Sequence, residues 1–236
     1  MKDKINNKEK ENIKQMFDNI ASSYDFLNHA FSFGIDYLWR RKVVKILKPL
    51  KPLSIIDIAT GTGDLAIREV KLNPEKIVGI DISGNMIKIG EEKVLARKQN
   101  NIISFIQADS AEIPFAENTF EAATVAFGVR NFEDLDKSLS EIFRVLKKNG
   151  QLAVLEFSMP EIFPFKQFYK FYLTIIIPLI GKIISKDVKA YSYLPVSIKA
   201  FPSGEKFLDH IRKAGFTKTR QHRLTFGVAS VYIGTK

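Results

Sequence analysis

The chain has 236 residues, 45% hydrophobic and 26% charged, with 36 Lys+Arg against 26 Asp+Glu for a formal net charge of +10. These values describe a globular chain with an ample core and set aside a disordered or collagen-like one. The absence of Cys removes disulfides, thiolate zinc sites, iron–sulfur clusters and every cysteine-nucleophile mechanism, while the basic balance favours an anionic partner without choosing it.

The first fifteen residues, MKDKINNKEKENIKQ, are polar and charged and lack the apolar stretch of a signal peptide. Ile13, Phe17, Ile20, Tyr24, Leu27 and Phe31 then recur every three or four residues, which predicts an amphipathic helix with a break near Ala21-Ser22-Ser23. A second helix is predicted over Tyr37–Leu47, closing before Pro49 and Pro52. Residues 1–50 thus read as an N-terminal helical cap within a single domain.

From Ser54 the pattern alternates. Apolar runs at 54–59, 76–82, 103–108, 122–127 and 151–157 read as buried strands, with helices between them at Asp64–Leu72, Gly84–Lys98 and Glu133–Lys147. Asn149-Gly150 is the expected stop of the last helix. Strand–helix alternation with continuously apolar strands predicts a parallel, doubly wound sheet over 54–157. The first strand runs into Asp57-Ile58-Ala59-Thr60-Gly61-Thr62-Gly63-Asp64, where glycines allow a sharp turn and a close approach of backbone to a ligand. Asp81 closes the second strand twenty residues after Gly61, placed to accept ribose hydroxyls. Asp109-Ser110 closes the third, where an adenine edge would lie. Gly61, Thr62, Gly63, Asp81, Asp109 and Ser110 are therefore the candidate residues for an adenosine-containing cofactor. Gly61-Thr62-Gly63-Asp64-Leu65-Ala66 also fits the dinucleotide pattern G-x-G-x-x-G/A, so a nicotinamide-dependent oxidoreductase stays open on this loop alone.

The most apolar stretch, Phe163–Ile184, is interrupted by Lys166, Lys170, Pro178 and Lys182. Its longest uncharged run is eleven residues, against the roughly 18–20 needed to span a bilayer. Lys166 and Lys170 share one helical face, while Phe168, Phe171, Tyr172 and Ile175 follow 3–4 spacing on another. That pattern suits a wall over a greasy acceptor, a helix lying on an anionic membrane, or a non-catalytic membrane-surface protein. Residues 160–200 are taken as an insertion covering the acceptor. In 203–236, a helix at Gly204–Ala214 precedes two runs separated only by Thr225-Phe226-Gly227, which predicts an antiparallel pair.

The antiparallel close, Asp109 and the short chain after the fifth strand favour S-adenosyl-L-methionine over a dinucleotide. Phe143-Arg144-Val145-Leu146-Lys147-Lys148-Asn149-Gly150-Gln151-Leu152 resembles the R-x-L-K-x-G-G segment of class I methyltransferases, with Asn149 where Gly is common. Met16-Phe17-Asp18-Asn19-Ile20-Ala21-Ser22-Ser23-Tyr24-Asp25, Ser32-Phe33-Gly34 with Trp39-Arg40, Phe127-Gly128-Val129-Arg130-Asn131, Leu155-Glu156-Phe157-Ser158 and Ala190-Tyr191-Ser192-Tyr193-Leu194-Pro195 together resemble the quinone-biosynthesis C-methyltransferases. The resemblance covers the chain from about Lys14. Ala126 departs from it, standing where relatives often carry Ser.

This resemblance implies a seven-stranded, Rossmann-like α/β sheet, mostly parallel with a C-terminal antiparallel strand. It also implies C-methylation of a prenylated quinol, most directly demethylmenaquinol, with S-adenosyl-L-methionine as cofactor. Naphthoquinol and benzoquinol acceptors stay open, as do another small-molecule acceptor, self-association of the chain, and peripheral contact of a cytoplasmic protein with the inner membrane face. On the acceptor side the resemblance points to Arg130, Asn131 and Tyr24 as catalytic candidates, with Asp25 beside Tyr24. No metal is expected, because His29, His210 and His222 are scattered. No nucleic acid is expected, because the basic residues are dispersed rather than interleaved with aromatics in one motif.

Overall fold

The computed structural model describes residues 2–177 and 188–236, without the side chains of residues 2–10, 23, 24, 26, 27, 30, 31 and 188–192. Seven strands form one sheet in the order β3-β2-β1-β4-β5-β7-β6. The strands are β1 (Ser54–Ile58), β2 (Lys76–Asp81), β3 (Ile103–Gln107), β4 (Phe120–Ala126), β5 (Leu146–Phe157), β6 (Thr217–Leu224) and β7 (Ala229–Thr235). The first five pair in parallel, and β7 lies antiparallel between β5 and β6. Parallel strands covered on both sides read as unbroken apolar runs, as β1 does with all five residues buried. The predicted sheet, including its antiparallel close, is the one observed.

The described helices are α1 (Lys2–Phe31), α2 (Asp36–Leu47), α3 (Asp64–Glu69), α4 (Gly84–Ala96), α5 (Leu135–Val145), α6 (Phe165–Phe171), α7 (Val188–Ala200) and α8 (Glu205–Lys213). Two apolar clusters sandwich the sheet. One joins Ile56, Ile80, Val125 and Val154 to α5 and α8, and the other joins Ile55, Ile77, Ala122 and Val231 to α2, α3 and α4.

Two local readings need correction. α1 runs unbroken through Ala21-Ser22-Ser23: no Gly or Pro interrupts it there, and Ile20 and Ala21 are buried against Met86 of α4. The last helix before β5 ends at Val145 rather than at Asn149-Gly150. Leu146 turns extended and already pairs with Phe120, and the ladder shifts register before resuming at Ala122–Gln151. Asn149 takes a left-handed conformation inside that irregularity, and its N–H donates to the Lys236 carbonyl at 2.9 Å. Its turn-forming character is used within a strand instead of behind a helix.

Within the Phe163–Ile184 stretch, α6 passes into a wider π-helical turn at Tyr172–Ile176. Leu173 and Ile177 are buried against Ile198 of α7, while Phe168, Phe171 and Ile175 face outward. The remainder of that stretch, from Pro178 on, lies outside the described residues. Among the described residues no helix is long and apolar enough to cross a membrane.

Candidate functional site

The strand order reverses direction between β1 and β4, and ligands of open α/β sheets bind at the carboxyl ends of strands beside such a switch. The two loops that leave β1 and β4 meet there closely. A Cβ on Gly128 would stand 2.4 Å from the Cβ of Ala59, so only glycine fits. Ala59 and Phe127, each the first residue past its strand, both hold left-handed backbone conformations (φ +51° and +59°), strain of a kind that gathers at ligand sites.

A cavity of about 750 Å³, counting its open mouth, lies over these strand ends. Gly61, Asp81, Asp109, Ser110 and Asn131 line it, with Met86, Phe127 and Phe132 as apolar walls. Asp81 ties the cavity floor together: its Oδ2 accepts from the Gly61 N–H at 2.8 Å and its Oδ1 from the Ser83 N–H at 2.9 Å. Burial pushes its carboxyl up, and those N–H donors pull it back. Each carboxylate oxygen keeps a lone pair for a ribose hydroxyl. Asp109 Oδ1 accepts from the Ala111 N–H at 2.8 Å, which turns the chain sharply after β3, and Ser110 Oγ lies 3.0 Å from Ser138 Oγ.

Thr62 and Gly63 do not line this cavity. Gly63 turns the loop with φ +78° and begins α3. The Thr62 hydroxyl is 2.5 Å from Asp25 Oδ1 and accepts from Lys93 Nζ at 3.0 Å. Lys93 also pairs with Asp25 at 2.7 Å and Asp64 at 2.5 Å, so α1 is clamped by charge to the glycine loop and α4. A second clamp joins Asp18 Oδ1 to the Ser83 hydroxyl at 2.5 Å and the Asn85 N–H at 3.2 Å. Just before the Asp18 clamp, Ile13 and Phe17 of α1 roof the large cavity. Tyr24 lies on α1 between the clamps, and its side chain is outside the described residues.

Arg130 is not in the wall of the large cavity. Its Nη1 donates to Glu156 Oε1 at 2.8 Å and to the Phe127 carbonyl, and its own N–H lies 3.3 Å from Glu156 Oε2. Both side chains are nearly sealed, at 6% and 0% exposure. Burial pushes the Glu156 carboxyl up and the guanidinium draws it back. The pair therefore fixes the loop after β4 rather than presenting a free cation. Asn131, one residue on, reaches the cavity, and its Oδ1 accepts from the Tyr193 hydroxyl of α7 at 3.0 Å.

Sequence reasoning did not single out Asp18, Lys93, Arg40, Glu156 or Tyr193 as site residues. Glu156 carried a visible signal, a lone acid in an otherwise apolar strand. Asp18 stood within a motif of the resemblance with no role assigned to it and Lys93 carried no signal, because their roles depend on how α1 docks.

Comparison with known proteins bears on the family and the fold. Residues 4–236 match the model of the ubiE/COQ5 methyltransferase family. A Bacteroides fragilis protein named demethylmenaquinone methyltransferase is 52% identical, over 97% of this chain and 94% of its own length. A Geotalea daltonii protein named ubiquinone/menaquinone biosynthesis C-methyltransferase UbiE is 45% identical over 96% of this chain and 97% of its own. Among solved structures, a SAM-dependent methyltransferase from Thermotoga maritima superposes with a TM-score of 0.62 at 23% identity, covering 94% of this chain and 99% of that one. The cyclase SpnF superposes at 0.61 with 17% identity, covering 95% and 94%, so likeness at this level speaks to the fold alone. With nearly every residue under the family model and close relatives aligned end to end, the chain belongs to the ubiE/COQ5 methyltransferase family.

Proposed function

We propose that this chain transfers a methyl group from S-adenosyl-L-methionine to a ring carbon of a prenylated quinol, with demethylmenaquinol as the acceptor. The observation that carries the reading is the 52% identity, over 97% of the chain, to a protein named demethylmenaquinone methyltransferase. The cavity supports it. Asp81 stands where ribose hydroxyls would be held, Asp109 and Ser110 where the adenine edge would lie, and the glycine loop is free of side chains at Gly61, as close approach requires. The family match favours this reading over the nicotinamide alternative, which rests on the glycine loop alone.

The cofactor, when bound, supplies an electrophilic methyl group. The chain's own task is to orient the quinol, exclude water and deal with the phenolic proton, whose departure makes the ortho carbon nucleophilic. Because Asn131 Oδ1 is taken by Tyr193, the amide nitrogen is left to donate to an acceptor oxygen at the cavity wall. Arg130, balanced by Glu156, holds that loop in place, and Tyr24, next to the Asp25 that pairs with Lys93 and Thr62, stands as the candidate on α1 for handling the proton. Ile13 and Phe17 close the roof.

The insertion brings the acceptor. Ile162, Phe163, Phe168 and Phe171 are 53–76% exposed and stand among the exposed lysines Lys166 and Lys170. Phe226, 62% exposed, stacks on Phe165 at 4.0 Å and extends the patch to the β6–β7 turn. Aromatics beside lysines suit the headgroup layer of an anionic bilayer, where a long-tailed quinol resides. Extraction of quinones from a strain lacking the chain tests the function. The expected pool is a quinone lighter by one methyl, restored by the wild-type chain, and an unchanged pool would contradict it.

A further inference from the structure

A separate cavity of about 560 Å³, counting its open mouth, lies beside the β6–β7 turn and shares no lining residue with the large one. Its walls come from the segment after β5 (Glu161, Ile162), the bend before α8 (Gly204), β6 (Gln221, Arg223) and the turn itself (Phe226). That turn is held in an unfavourable shape. Thr225, Phe226 and Gly227 follow one another with φ +45°, +56° and +94°, and two of the three carry side chains that the left-handed region disfavours. Trp39 Nε1 donates to Thr225 Oγ1 at 2.8 Å, the Ser158 hydroxyl donates to the Gly227 carbonyl at 2.8 Å, and Phe165 stacks on Phe226. These contacts fix an exposed Phe226 ring at the cavity wall, beside an Ile162 that is also exposed. The cavity therefore opens where the outward apolar patch of the insertion begins.

The cavity wall carries one charge of each sign. Arg223 Nη2 and Glu161 Oε2 lie 3.0 Å apart, and both side chains are more than half exposed. An ion pair so open to water contributes little, and a ligand can part it at small cost. The neutral polar groups of the wall are already engaged: Gln221 Nε2 donates to Ser230 Oγ at 2.8 Å, and the Gly204 N–H donates to the Tyr232 hydroxyl at 2.8 Å. Space is left beside them, since a Cβ on Gly204 would meet nothing within 4 Å. A purely anionic ligand would gain Arg223 and be repelled by Glu161, and a cationic one the reverse. A ligand with both signs a short link apart replaces the pair on both sides. A phosphate joined through a short carbon link to a primary ammonium has that chemistry, and acyl chains attached to the phosphate would leave past Ile162 and Phe226 into a bilayer. We propose that this cavity seats the phosphoethanolamine head group of a membrane lipid, with its phosphate on Arg223 and its ammonium on Glu161. Such a contact sets the depth and orientation at which the insertion meets the membrane. The inference rests on the membrane contact assigned to the insertion above.

Flotation of the full chain with vesicles tests it, comparing phosphatidylethanolamine with phosphatidylcholine at equal phosphatidylglycerol. Surface charge is then matched, and the head groups differ only in methylation of the ammonium. Wild type should bind the phosphatidylethanolamine vesicles roughly three- to tenfold more tightly, the scale of one or two charge-assisted contacts at an open site. Arg223→Gln and Glu161→Gln should each remove that preference, while binding to the phosphatidylcholine vesicles and to S-adenosylhomocysteine changes little. The exchange Arg223→Glu with Glu161→Arg keeps both signs and should restore it. Equal binding of wild type to the two vesicle types would overturn the site, and this comparison needs no variant. A preference that survives both single substitutions would belong to the looser packing of phosphatidylethanolamine bilayers and would overturn the site as well. Binding to neither vesicle would overturn the membrane contact itself, so the two failures are told apart.

Discussion

Asp81 and Arg130 show how differently two charged residues near one cavity can act. Asp81 stands in the cavity wall with its oxygens half used by backbone N–H groups, so its remaining acceptors are the ones offered to a ligand. Asp81→Ala should weaken S-adenosyl-L-methionine binding by about 1.5–3 kcal/mol, the scale of lost hydrogen bonds to a charged group. Isothermal titration checks this, and unchanged affinity would mean the ribose is held elsewhere. Arg130 pairs with Glu156 through Nη1, while its Nε is buried without a hydrogen-bond partner among the described residues. Truncating it alone strands a buried carboxylate, so Arg130→Ala should cost about 3–5 kcal/mol of stability. Arg130→Met with Glu156→Gln removes both charges and should recover most of that stability, while turnover stays at least tenfold down and cofactor affinity holds within a few-fold. Turnover returning with stability would show that the pair only supports the fold. The acids at the strand tips were legible because a strand's end and its last residue are local properties. The Arg130–Glu156 pair was not, because residues 26 apart meet only after β4 and β5 align.

The helices around the glycine loop carry a cost that the sequence does not display. Glu69 closes α3 fully buried, and neither of its carboxyl oxygens has a hydrogen-bond partner among the described residues. Burial, and then the nearby Asp57, raise its pKa well above the ordinary 4.5. The native state therefore gains from holding Glu69 protonated. That gain is complete below the unfolded value and is lost as pH rises through the raised native one. Glu69→Gln, which removes the charge and keeps the shape, should melt close to wild type in mild acid and above it in mild alkali, as followed by thermal melts across pH. A difference that stays flat across pH would contradict the argument. At this scale the strands were read to within a residue or two where apolar runs are continuous. β5 began earlier than expected because Leu146 left α5 directly into the ladder, a choice made by Phe120 across the sheet and not by the residues of the turn. The unbroken course of α1 likewise answers to Met86 beneath it.

At the scale of the whole chain, the switch between β1 and β4 sets the cavity, α1 roofs it through Asp18 and Asp25, and the insertion turns an aromatic face outward. Alternation of strands and helices made that topology readable. The docking of α1 was not, since its apolar stripe and its clamping acids say nothing of where they land. The outward face makes a separable prediction: the protein should float with anionic vesicles at low salt and be released as salt rises, and Phe168→Ser with Phe171→Ser should abolish flotation while leaving S-adenosylhomocysteine binding intact. Flotation unaffected by the paired substitution would place the membrane contact elsewhere. The central claim is carbon methylation of a quinol. Its most direct measurement incubates the purified chain with reduced demethylmenaquinol and S-adenosyl-L-methionine labelled in the methyl group, then locates the label by mass spectrometry and NMR. The account predicts label on the ring carbon next to a hydroxyl, dependent on reduction of the acceptor. Label on oxygen, or none transferred by a protein that binds the cofactor, would contradict it.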